Sequence, residues 1–133
     1  RFASLGISIT STVPFGGLIM PLPTMRDKGV RIGLGNDSIT DHWSPFGTGD
    51  CLMKASRLAE LYRFVDERSL GEALGFITGG VTPLDADGNR VWPAVGDSAD
   101  AVLAQASCSA EAVARRAPRQ AVLFRGEIVA GTL

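Results

Sequence analysis

Residues Gly29–Tyr62 read GVRIGLGNDSITDHWSPFGTGDCLMKASRLAELY, and the fold turns on how this run divides. Val30, Ile32 and Leu34 alternate with Arg31, Gly33 and Gly35. That period predicts a strand over 30–35, closely packed on the face of its glycines. Asn36-Asp37-Ser38 ends the strand, and a polar loop from Ile39 to Gly49 follows, with His42, Trp43 and Phe46 in it. From Asp50 the pattern becomes helical. Leu52, Ala55, Ala59, Tyr62 and Val65 recur every three to four residues, and Met53, Leu58 and Leu61 widen the stripe. So broad an apolar face predicts a helix to about Asp66 buried against something large, with Asp50 as its N-cap.

Outward from this run, Leu5–Val13 (LGISITSTV) is β-branched and alternating and predicts another strand. Pro14 and Phe15-Gly16-Gly17 end it, a loop runs to Pro23, and Thr24–Lys28 predicts a helical turn stopped by Gly29. Downstream, Ser69 and Glu72 have capping-box spacing for a helix over 70–78, stopped by Gly79-Gly80. The chain changes character near Val81. Asp87-Gly88 marks a turn, and short strands are expected over 99–103, 120–124 and 127–130, with a helix over 110–116 and a turn at Arg125-Gly126. Residues 1–80 and 81–133 are therefore expected to be separate units. The α/β alternation of the first implies a parallel sheet, but two strands cannot close one.

The chain has 133 residues and a formal charge of −1, from 13 basic and 14 acidic side chains. That balance argues against a nucleic-acid groove or an anionic membrane surface. No apolar run approaches the roughly 20 residues of a membrane helix. Two cysteines, Cys51 and Cys108, make no disulfide framework and read as reduced thiols in a cytoplasmic protein. There is one histidine, and the chain opens on Arg1 rather than Met. A catalytic zinc site usually takes three protein ligands. The expectation is either no such site or a chain that is part of a longer polypeptide.

The sharpest chemical signal is Asp37, an acid where an apolar strand ends. In parallel α/β barrels, active sites lie at the C-terminal ends of strands. A carboxylate there can ligate a metal, take a proton, or do both. It can equally cap a loop or pair with an arginine. His42 and Trp43 read as one wall of a pocket or as ordinary loop residues, Asp41 as a loop acid, and Phe15-Gly16-Gly17 as a ligand-contacting loop or a connector. Cys51 fits a small buried hydrophobe better than a nucleophile, and Arg115-Arg116 a solvated helix end. No phosphate loop, dinucleotide fingerprint or C-x-x-C motif occurs.

The run Gly29–Tyr62 resembles the last barrel strand and helix of bacterial cytosine deaminases, of the amidohydrolase superfamily. The matching elements are Gly35-Asn36-Asp37, Asp41-His42-Trp43 and Pro45-Phe46-Gly47-Thr48. Gly96–Leu103 resembles the superfamily's G-x-x-A-D strand, and Val122–Val129 its closing hairpin. The resemblance implies the C-terminal portion of a (β/α)8 TIM-type barrel with a small β-sandwich domain. It implies one divalent metal ion, zinc or iron, with Asp37 as ligand and as the group that moves a proton. The other ligands would lie upstream of Arg1. Trp43 matches a position lining the substrate pocket, and Ser38 stands beside Asp37 where many relatives have a second Asp. Asn36 stands where they often have His.

A barrel of this type needs about 250 residues, so the chain would supply its last strands and helices and is not expected to fold stably alone. The implied activity is deamination of a cytosine-like, amino-substituted nitrogen heterocycle by metal-bound hydroxide. Triazine N-dealkylation, cyclic-amide hydrolysis or a non-catalytic remnant of the fold are the alternatives. The implied partners are a small heterocycle, the remainder of the polypeptide and, by family analogy, further copies in a homo-oligomer.

Overall fold

A computed structural model describes residues 1–14, 19–37, 39 and 47–133. Its first unit is strand–helix–strand. Strand β1 (Ile9–Ser11) and strand β2 (Ile32–Leu34) pair in parallel, with Ile9 opposite Ile32 and Ser11 opposite Leu34. Helix α1 (Leu22–Asp27) lies between them in sequence. The parallel pairing expected from the α/β alternation is present. Both strands are shorter than their apolar runs; ahead of β1, residues 3–5 wind into a 3-10 turn ending at Gly6, with φ 67°. Gly33 and Gly35 let β1 approach: a Cβ on Gly35 would lie 3.3 Å from Thr10 Cγ2.

Helix α2 (Cys51–Tyr62) begins at the predicted cap, with Asp50 accepting from Leu52 N at 2.7 Å. It ends four residues early, where Arg63 turns left-handed at φ 58°. Helix α3 (Glu67–Ala73) starts before the expected position and runs into a 3-10 turn, Leu74–Phe76. Its cap is Asp66, whose carboxylate accepts from Ser69 N at 2.9 Å and Ser69 Oγ at 2.7 Å. The Ser69–Glu72 box does not form. Glu72 instead receives Arg26 and Arg68 at 3.2 and 2.9 Å.

Residues 81–100 hold a tight loop in which Asp85 accepts from Asp87 N and Asn89 N. Strands β3 (Ala101–Ala104), β4 (Arg119–Phe124) and β5 (Glu127–Gly131) form an antiparallel sheet in that order. Helix α4 (Ser109–Arg115) connects β3 to β4 and lies against α2 and α3. Val113 is fully buried in the same cluster as Leu22, Leu58, Ala73 and Phe76. Helices α2 and α3 of the first part thus find a partner in α4 of the last part. β5 is exposed along its whole length. No helix among the described residues is long and apolar enough to cross a membrane.

Candidate functional site at the strand ends

β1 and β2 stop at the same level of the sheet and turn in the same way. Val13 lies two residues past β1 with φ 51°, and Asp37 three residues past β2 with φ 58°. Asp tolerates the left-handed region, but a β-branched residue there is a genuine outlier. Val13 is nevertheless 1% exposed, so the surrounding packing holds it. Ser11 Oγ accepts from Val13 N at 3.1 Å and helps fix the turn.

Asp37 is exposed at this exit and makes no hydrogen bond or ion pair to another described residue. Beside it, Asn36 Nδ2 donates to Cys51 Sγ at 3.8 Å, while Asn36 Oδ1 is buried without a hydrogen-bond partner among the described residues. Cys51 is exposed, not buried as expected, because at the start of α2 its sulfur faces Asn36 at the strand exit while Leu52 beside it turns into the core. Cys108 caps α4, with its sulfur accepting from Glu111 N at 3.4 Å. Ser38, Asp41, His42, Trp43 and Phe15-Gly16-Gly17 lie outside the described residues.

The sequence reading passed over Lys54. It sits on α2 at 3% exposure, and its Nζ donates to the Thr12 carbonyl at 3.0 Å. Burial pushes the ammonium below the ordinary lysine range, Arg57 adds to that, and Asp37 and Cys51 partly oppose it. The signal was available: Lys54 shares i+4 and i+7 spacing with Leu58 and Leu61, so it lies on the apolar face.

At the start of α2, Asp50 also receives the guanidinium of Arg119 on β4. Burial raises the Asp50 carboxyl. Hydrogen bonds from Arg119, Leu52 N and Met53 N, with the Arg119 charge, outweigh it and hold the carboxyl below the usual range. Arg119, Cys51 and Leu52 also line a groove of about 1010 Å³ against the β3–β4 sheet.

The carboxylate of Asp37 and Asn36 Oδ1, neither hydrogen-bonded among the described residues, are oxygen donors suited to a divalent cation. No group of three His, Cys, Asp or Glu side chains gathers among the described residues. What the described residues offer such an ion is therefore one carboxylate and one amide oxygen.

Active sites of parallel α/β barrels lie at the C-terminal ends of their strands, the end of this strand pair at which Asp37 stands. Residues 1–130 match the Amidohydrolase family, and the chain belongs to it. It is 52% identical over 127 residues to the uncharacterised protein YahJ of Escherichia coli K12, covering 96% of this chain and 28% of that protein. It is 30% identical over 111 residues to N-isopropylammelide isopropyl amidohydrolase of Pseudomonas sp. strain ADP, covering 83% and 27%. Among solved structures, N-isopropylammelide isopropylaminohydrolase of Burkholderia multivorans superposes with a TM-score of 0.76 at 31% identity, covering 96% of this chain and 33% of the other. The 5-methylcytosine deaminase of Klebsiella pneumoniae, liganded with phosphonocytosine, superposes at 0.65 and 20% identity, covering 86% and 28%. The latter likeness is one of fold. The chain spans under a third of the length of the curated relatives it matches.

Proposed function

We propose that this chain is the C-terminal portion of a metal-dependent hydrolase that cleaves an exocyclic C–N bond of a nitrogen heterocycle. The barrel is completed, in this reading, by the rest of a longer polypeptide, with residues 81–133 contributing to a small β-sandwich domain. The observation that carries the proposal is Asp37: a carboxylate exposed at the exit of a parallel strand, unpaired among the described residues, in a chain of the Amidohydrolase family.

Asp37 is the residue that would hold the ion, zinc or iron, and its carboxylate would accept a proton and return it to the departing nitrogen. When bound, the ion supplies Lewis acidity that makes water a competent nucleophile near neutral pH. Water oxygen bonds to the ring carbon, the C–N bond breaks, and the amine leaves with the proton from Asp37. Trp43 and Ser38 are the residues proposed to contact the ring. The polar donors they offer suit a flat heterocycle with hydrogen-bonding edges.

Two leaving groups are in play. The resemblance of Gly29–Tyr62 to cytosine deaminases favours ammonia. The 30% identity with N-isopropylammelide isopropyl amidohydrolase favours an alkylamine. The test is release of ammonia and of isopropylamine from cytosine-like and alkylamino-triazine substrates by the complete polypeptide. Asp37→Asn is expected to lower turnover at least 1,000-fold, on the order of a lost catalytic group. It is also expected to reduce bound metal well below one per chain. Full activity in Asp37→Asn refutes the assignment.

A further inference from the structure

A buried ammonium is expensive unless something pairs with it, and replacing it by an apolar side chain is often neutral or stabilising. Lys54 is such a group, at 3% exposure in the first turn of α2. Its hydrogen bond goes not to its own helix but 42 residues back, to the Thr12 carbonyl at 3.0 Å. Thr12 immediately precedes Val13, the strained residue of the β1 exit, with φ 51°. The charge of Lys54 also reaches Asp37, past the neighbouring strand. One buried cation thus holds the β1 exit directly, within electrostatic reach of the acid at the β2 exit, where the backbone also turns left-handed. Backbone strain of this kind persists only where the surroundings over-determine it, and it gathers at functional sites.

We infer that Lys54 is a positioning residue of the proposed site: from α2 it fixes the β1 exit through the Thr12 carbonyl and so sets the frame beside Asp37, past the end of β2. This rests on the reading of Asp37 as a metal ligand. Lys54 touches no substrate; it acts by holding the frame in which Asp37 is placed. A displacement of about 1 Å in such a frame can cost up to about a hundredfold in rate.

The test uses the complete polypeptide with Lys54→Met, Lys54→Arg and, separately, Asp37→Asn. Each is read for zinc retained after dialysis against a weak chelator, for kcat and KM of amine release, and for the melting midpoint of the metal-stripped protein. Lys54→Met is expected to keep or raise that midpoint while retaining less zinc. Its kcat should fall about tenfold with KM within about twofold. Lys54→Arg is expected to restore most of the zinc and kcat. If Lys54→Met fails to fold, or its stripped protein melts well below the parent, the residue is structural and the inference is overturned. Wild-type zinc and kcat in Lys54→Met, with Asp37→Asn defective, overturn the inference but leave the reading of Asp37 standing. Normal zinc and turnover in Asp37→Asn overturn both.

Discussion

At the scale of single residues, the place of Asp37 past a strand end was legible because an acid two residues after an alternating apolar run is visible without coordinates. Its backbone angle was not, since φ 58° depends on where β2 stops. Lys54 was hidden for a different reason: a lysine in a helix reads as solvated until the face it occupies is known to be buried. Cys51 was misjudged because helical periodicity does not say which way the first turn looks. The glycines of the strand were read for their size, and Gly35 bears this out. A Cβ there would meet Thr10 Cγ2 at 3.3 Å, tighter than ordinary contact. Gly35→Val is expected to push β1 away, costing about 1–3 kcal/mol in denaturant titration. The complete polypeptide should lose activity with it. A neutral result in both would show that β1 yields freely.

At the scale of elements, most were legible as types and few by their ends. Period-2 and period-3.6 patterns mark what is apolar, whereas termini are set by caps and by tertiary contacts. The start of α3 shows this. Two acceptors competed for its first turn, and Asp66, one residue before the helix, takes both Ser69 N and Ser69 Oγ. Glu72, the other half of the expected box, is drawn off by Arg26 and Arg68. For α2 the cap was foreseen but its second bond was not, because Arg119 arrives from 69 residues away.

Asp50 therefore carries an acid dependence. Its carboxyl sits below its unfolded value of about 3.9. A depressed value means stabilisation that is complete above the unfolded pKa and is lost as pH falls through the folded one. The parent protein should lose stability below about pH 4 more steeply than Asp50→Asn does. Near neutral pH, Asp50→Ala should cost about 1–2 kcal/mol, read from melting or denaturant curves. Superimposable acid limbs for parent and Asp50→Asn would show that Arg119 adds nothing.

At the scale of the whole molecule, the family was legible in Gly29–Tyr62, and the match over residues 1–130 agrees. What the sequence did not show is that the two compositional halves meet in one core. α4 carries Ala110, Ala112 and Val113 inward, too short a run to announce which neighbour it covers. Arg116–Glu60 at 3.3 Å and Arg119–Asp50 add ties between the halves. As exposed ion pairs they contribute little energy individually; the apolar contact of α4 with α2 and α3 is the larger effect.

That shared core has a consequence for cleavage. Residues 85–91 and 93–100 are almost entirely solvent-facing, and they are the natural place for a protease to cut. Severing the backbone there would not separate the pieces, since Val113 stays locked beneath α2 and α3. Limited digestion of the complete polypeptide should give two bands on a denaturing gel but a single peak by gel filtration. The nicked enzyme should keep turning over.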